Sequence, residues 1–226
     1  MYILHYAPDN ASLIIRLVLD GAGIPYQTAL VDRAKRQQDS PAYRRLNPAG
    51  LIPTLETPDG PISETGAILL WLTDTYGLGP RADSTDRPAL LKWLFFLSNT
   101  AHADLRQLFY PHQYCPAEAH PGHAEIIAMR MQRNFTLLND AAGHHPGLFA
   151  PAQPLAAYTL ALARWSVVYP RGGARWFSLA DYPRLRDLAQ AQEARVETPV
   201  IARAEGLGPH PFTAPVHPRP PEGCAL

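Results

Sequence analysis

The sequence predicts an α/β N-terminal domain followed by an all-α domain. Two changes of pattern carry that prediction. Up to about residue 76, strand-like segments alternate with helix-like runs; from about 84 to 205 the helical periodicity dominates. A third observation closes the helical region. Residues 206–226, "GLGPHPFTAPVHPRPPEGCAL", hold six prolines and three glycines in 21 residues. That composition suits either disorder or an extended surface strap. The expected organisation is therefore 1–77, a linker at 78–86, a helical domain over 87–205 and a Pro-rich tail over 206–226.

The elements follow in order. "YILHYA" (2–7) has the β-branched and aromatic content of a strand. Apolar residues at 13, 14, 17, 18 and 22 form a helical stripe, closed by Gly21 and Gly23. "PYQTALVD" (25–32) alternates as a second strand. A charged loop at 33–39 leads to a short helix with Pro41 in its first turn. "IPTLET" (52–57) and "GPISET" (60–65) flank Pro58-Asp59-Gly60, a hairpin signal. "TGAILLWLTDTY" is a helix stopped by Gly77 and Gly79.

The order β-α-β-α-β-β-α is the topology of a thioredoxin-like domain. Its first crossover should be right-handed, with parallel strands. Beyond the linker, a long helix (86–110) stops at Pro111 and another (about 118–141) ends at Gly143. "PLAAYTLALARWSVVYP" is apolar nearly all round, which places it at the centre of a bundle. "SLADYPRLRDLAQAQEARV" adds one or two helices, with Ser178 and Asp181 as a cap at the start.

Composition excludes several classes. The chain has 226 residues, 46% of them hydrophobic, and no formal net charge, which argues against a nucleic-acid partner. Two cysteines imply no disulfide framework. The N-terminus lacks a signal-peptide pattern, and no apolar run approaches the ~20 residues that span a bilayer. A cytoplasmic protein is expected. "GAGIPY" (21–26) ends a helix rather than opening one, so it fails the context test for a nucleotide-binding loop. Cys115, His120 and His123 sit in a Pro-rich loop without a fourth ligand at useful spacing, so no metal is expected. Trp71, Trp93, Trp165 and Trp176 read as core or interface.

The most specific stretch is "NPAGLIPTLETPDGPISETGAILLWL" (47–72). "NPAGLIPTL" resembles the "NP-x-G-x-(V/I)-P-x-L" of the cytosolic glutathione transferase superfamily, and "SETGAILLWL" resembles its "(E)-S-x-A-I-x-x-Y-L". Order and distance match as well, and the resemblance, to the bacterial type, covers about residues 1–205. It implies a cis bond before Pro53 that turns the backbone of Ile52 outward, to pair with glutathione as an added strand would. It implies that Glu64 and Thr65 hold the γ-glutamyl end. A helix start there favours a carboxylate, although Ser63 or Thr65 can equally be a plain cap. Thr65 replaces the commoner serine.

The thiol-activating position departs from the pattern. "APDNASL" stands where bacterial relatives carry "SPGACSL", so Ala11 occupies the cysteine position. Thiol–disulfide chemistry by the protein's own side chains is not expected, and Tyr6 points elsewhere. Ser12 and Asn10 are the candidate catalytic residues. Asp9 or Asn10 as N-cap, with Ser12 in the first turn, is the bland alternative. Lys35, or Arg36 beside it, is the basic residue implied for the glycyl carboxylate. Asn99, His102 and Arg106 share a helix face that can meet glutathione or the electrophile, and Phe96 or Tyr110 can line the acceptor pocket. At the central helix, Pro154 and Ala157 replace the usual Ser/Thr-x-x-Asp cap.

The implied function is conjugation of glutathione, as co-substrate, to a small hydrophobic electrophile by a homodimer serving detoxification. A non-catalytic glutathione-binding module is the alternative. An isomerase, dehalogenase or peroxidase stays within the same chemistry.

Overall fold

The computed structural model describes residues 1–169 and 175–225; Pro170 and Leu226, which end two of the segments read above, lie outside the described residues. The N-terminal part is a four-stranded sheet in the order β2-β1-β3-β4. Strand β1 (Tyr2–Tyr6) pairs in parallel with β2 (Tyr26–Leu30), joined by helix α1 (Ser12–Gly21). Helix α2 (Pro41–Leu46) leads to β3 (Thr54–Thr57), antiparallel to β1, which turns through Pro58-Asp59 into β4 (Gly60–Ser63). Helix α3 (Thr65–Tyr76) ends at Gly77, whose φ of 65° is the left-handed cap that glycine adopts without steric cost. The strands are one to three residues shorter than their sequence patterns suggest. Leu4, Tyr6 and Leu55 point from the sheet into the core, against Leu13, Ile14, Leu17 and Val18 of α1.

The helical part holds α4 (Arg87–Phe96), α5 (His102–Phe109), α6 (His120–His144), α7 (Pro154–Val168), α8 (Pro183–Glu193) and α9 (Thr198–Glu205). The expected 86–110 helix is present, but it is interrupted by a π-helical turn over Leu97–Ala101. Helix α7 is buried along almost its whole length, as its apolar sequence requires.

Two expectations need correction. Helix α6 does not stop at Gly143; it runs through it. A Cβ there would sit 2.4 Å from Nε of Arg184, so Gly143 gives room for a crossing side chain rather than a cap. Ser178 makes no side-chain cap bond and Asp181 lies in a 3₁₀ turn; helix α8 begins at Pro183. At the start of α7, Gln153 also makes no side-chain cap bond, and Pro154 at the first position leaves one fewer amide to satisfy.

The tail resolves into a strap. Buried Arg164 donates to the carbonyls of Pro211 (3.0 Å) and Val216 (3.0 Å). Glu193 accepts from the amides of Phe212 and Thr213 and from the Thr213 hydroxyl. Arg219 N–H returns to the carbonyl of Gly206 at 2.8 Å. Farther on, Tyr6 donates to Glu222 and Arg33 to the carbonyl of Ala225. A Pro-rich segment has few amides of its own to pair, so carbonyls taken up by arginines supplement the amide bonds of Phe212, Thr213 and Arg219.

Candidate functional site

A cleft of about 2150 Å³ lies between the sheet domain and the helices. That exceeds the roughly 300–1,000 Å³ of a pocket for one drug-sized ligand. One wall is the segment around the Ile52–Pro53 bond, which is cis. The carbonyl before it, Leu51, accepts from Tyr43 (2.7 Å) and Asn47 (2.8 Å), which pins the chain as it enters. Ile52 lines the cleft, and among the described residues no hydrogen bond uses its amide or carbonyl. Buried Pro53 follows it into β3.

The start of α3 stands beside this edge. Ser40 caps α2 by accepting from Tyr43 N–H, but α3 has no such cap. Neither Ser63 nor Thr65 caps it, and among the described residues nothing pairs the amides of Thr65, Gly66 and Ala67. Its N-cap Glu64 holds φ 69° and ψ 116°, a strained conformation for a residue with a Cβ, and strain of this kind clusters at functional sites. Glu64, Thr65, Gly66 and Ala67 all line the cleft.

At the head of α1 the two candidates separate. Asn10 lines the cleft; its Oδ1 accepts from Ala11 N–H at 2.8 Å, which leaves Nδ2 free to donate. Ser12 is fully buried and does not line it. Its hydroxyl donates to the carbonyl of Ala7 (3.0 Å) and accepts from the amide of Ala7 (3.3 Å), fixing the turn between β1 and α1.

Lys35 is also displaced from its expected place. Its side chain is exposed, paired with Asp32 at 3.0 Å, and outside the cleft lining; Arg36 pairs with Asp39. Arg33 of that loop and Arg44 of α2 supply basic groups that reach the cleft. Arg44 is shared with Asp39 at 2.9 Å.

On the opposite wall, the π-helical turn carries Ser98 and Asn99, and His102 follows it. Such turns recur at functional sites because they displace side chains from helical register. His102 Nδ1 meets the Tyr158 hydroxyl at 2.9 Å, and its ring lies 5.6 Å from that of Trp165. Burial, reinforced by the Arg106 charge, lowers its pKa to about 4, so the imidazole is neutral at physiological pH. Tyr110 lines the cleft as expected; Phe96 instead packs edge-on against Trp93, and its neighbour Phe95 lines the cleft.

Sequence reasoning missed the largest feature of the site. Asp9, at φ 48°, is 4% exposed. Its carboxylate accepts from Arg164 Nε (2.8 Å) and Nη2 (3.0 Å), from Trp165 Nε1 (2.9 Å) and from the Tyr169 hydroxyl (2.6 Å). Its amide donates to Glu205 at 2.7 Å, and Glu205 faces Arg16 at 3.2 Å. Burial raises the Glu205 pKa from 4.5 to about 7 against the pull of Arg16. The available signal was Arg164, a lone charge inside an apolar helix.

A thioredoxin-like sheet joined to a helical domain, with an unpaired strand entry and an uncapped helix start in the cleft between them, defines the glutathione transferase fold. Comparisons with known proteins agree. A profile of the glutathione S-transferase N-terminal domain matches residues 11–75. Glutathione S-transferase GST-4.5 of Xanthomonas campestris pv. campestris is 31% identical over 51% of this chain, spanning 57% of that relative's length. The disulfide-bond oxidoreductase YfcG of Escherichia coli K12 is 28% identical over 88% of this chain and 93% of its own. A sphingomonad glutathione S-transferase solved with glutathione superposes with a TM-score of 0.71 at 25% identity, covering 91% of this chain and 100% of that one.

Residues 11–75 thus match the N-terminal domain of glutathione S-transferases, and the chain as a whole shares the fold of solved glutathione transferases. Among the described residues no group of His, Cys, Asp or Glu is arranged to hold a metal ion, and no helix is long and apolar enough to cross a membrane.

Proposed function

We propose that the protein binds glutathione in this cleft and conjugates its thiolate to a small electrophile. One observation carries the reading: the unpaired amide and carbonyl of Ile52 lie beside the unpaired amides at the head of α3. The first pair fits the extended cysteinyl unit of the tripeptide. The second fits its γ-glutamyl carboxylate, with Glu64 taking the amine and Thr65 adding a hydroxyl. The glycyl carboxylate then falls to Arg44 or Arg33 rather than Lys35.

Asn10 Nδ2 and the head of α1 stabilise the thiolate, and Asn99 and neutral His102 face the reacting pair. The thiolate attacks the electrophilic carbon, a C–S bond forms and the leaving group departs with its electron pair. The protein contributes positioning and a lowered thiol pKa. Within this proposal residues 1–77 are the glutathione-binding domain, 87–205 the second wall and 206–226 a strap across it. A cytoplasmic homodimer serving detoxification belongs to the same reading, by likeness to the superfamily.

A second reading, glutathione-dependent disulfide reduction, is favoured by the near full-length likeness to YfcG. There the bound thiolate would attack a disulfide sulfur and expel the other sulfur as thiolate. No cysteine of the protein is needed at Ala11.

Thiolate absorbance of glutathione, followed against pH with the protein present, tests both. The expected midpoint lies at least one unit below the ~8.5 of a free thiol. Binding with an unshifted midpoint would leave a binding module, and no binding would overturn the assignment. Turnover of a halonitrobenzene against turnover of a mixed disulfide then separates conjugation from reduction.

A further inference from the structure

Resting on the glutathione reading, we propose that the far end of the cleft is a subsite for an anionic aromatic electrophile, its carboxylate held by Arg106 with Arg33 beside it. The cleft's charges are unevenly compensated. Asp9 is taken by Arg164, and Asp39 by Arg36 and Arg44. Glu64 sits at the α3 end, and the charge of Asp181 acts on Tyr182. Arg106 and Arg33 line the cleft too, and among the described residues neither has a carboxylate within ion-pair distance.

Both converge on Tyr110. The Arg106 guanidinium lies 5.2 Å from its ring centroid, and Arg33 Nη2 donates to its hydroxyl at 3.3 Å. Tyr114 accepts from Arg106 Nη1 at 2.7 Å. These contacts orient the two guanidiniums without neutralising them, and a planar fork matches a carboxylate in two parallel hydrogen bonds. Arg106 stands one turn after His102 on α5, and both line the cleft. The same cleft lining carries aromatic rings: Phe109 meets Tyr169 edge-on at 5.9 Å, and His217 of the strap meets Tyr169 at 5.7 Å. Flat aromatic walls ending in uncompensated cations suit an aromatic ring that carries a carboxylate.

The test uses two preformed ligands, the glutathione conjugate of a chloronitrobenzoic acid and the conjugate of its methyl ester. Calorimetric titration of the full chain measures both, with glutathione alone as a third ligand. The wild type should bind the acid conjugate about ten-fold tighter than the ester, which is ~1.4 kcal/mol. Arg106→Gln should abolish that preference and Arg106→Lys should keep part of it, while glutathione binds both variants and the wild type alike. Far-ultraviolet circular dichroism confirms that each variant is folded.

Equal binding of acid and ester by the wild type would overturn the subsite alone. Loss of glutathione affinity in Arg106→Gln as large as the loss for the acid conjugate would also overturn it, and would assign the guanidinium to a carboxylate of glutathione. Failure of glutathione itself to bind the wild type would remove the functional reading and the subsite together.

Discussion

Removing the charge of Asp9 tests how the two domains are held together. Asp9→Asn keeps the side-chain shape and deletes the anion. The carboxylate is fully buried, with four side-chain donors at 2.6–3.0 Å from Arg164, Trp165 and Tyr169. An amide has one acceptor oxygen, so at least one of the two Arg164 bonds is lost and the guanidinium stays buried without its counter-ion. Breaking a buried pair from one side costs about 3–5 kcal/mol. For a chain of this size each kcal/mol moves Tm by roughly 2–4 °C, so a fall of about 6–20 °C is expected. Arg164 also holds the carbonyls of Pro211 and Val216, so loosening it should expose the strap to proteolysis at similar denaturant concentrations.

Urea unfolding of wild type, Asp9→Asn, Arg164→Met and the double variant completes a cycle. The double variant should lose at least 1 kcal/mol less than the sum, since contacting residues couple by about 0.5–3 kcal/mol. A loss under about 1 kcal/mol for Asp9→Asn, or strict additivity, would refute the view that this pair joins the domains.

Three further outcomes follow from the geometry. Asn10→Ala should raise the pKa of bound glutathione thiol by about one unit, ~1.4 kcal/mol, read from thiolate absorbance; an unchanged midpoint would exclude Asn10 as the donor. Glu205 should make stability fall as pH rises. Its folded pKa, about 7, lies above the ordinary 4.5, so the folded state holds the extra proton; the contribution is complete below pH 4.5 and lost by pH 7. That amounts to about 3 kcal/mol, and urea midpoints for Glu205→Gln should be flatter over this range. Gly206→Ala should detach the strap, because φ is 69° and a Cβ would lie 2.2 Å from the backbone carbon of Arg219; faster limited proteolysis after residue 206 would report it.

The sheet domain was legible because its signals are local. Pro58-Asp59-Gly60, Gly77 and the stripe of α1 each act within a few residues. The cleft positions of Ile52, Pro53, Glu64 and Thr65 were legible because a strand entry and a helix start are backbone features that any fold of this topology presents. Ser12 and Lys35 were misleading for the opposite reason. A hydroxyl in a first turn and a lysine in a loop read alike whether they face a ligand, the backbone of Ala7 or Asp32. Gly143 misled because a glycine that ends a helix and one that admits Arg184 look the same in sequence.

The sequence by itself determined the order of elements, the Ile52–Pro53 entry and the head of α3, through periodicity and turn chemistry that operate over short separations. Only the tertiary structure decided that Asp9 pairs with Arg164, 155 residues away, and that Asn10 rather than Ser12 opens on the cleft. It alone made the Pro-rich tail a strap, and it alone left Arg106 and Arg33 without carboxylates among the described residues. The physical reason is reach. Backbone hydrogen bonds and turns follow from neighbours along the chain, whereas the pairing of a charge depends on what the folded core brings beside it.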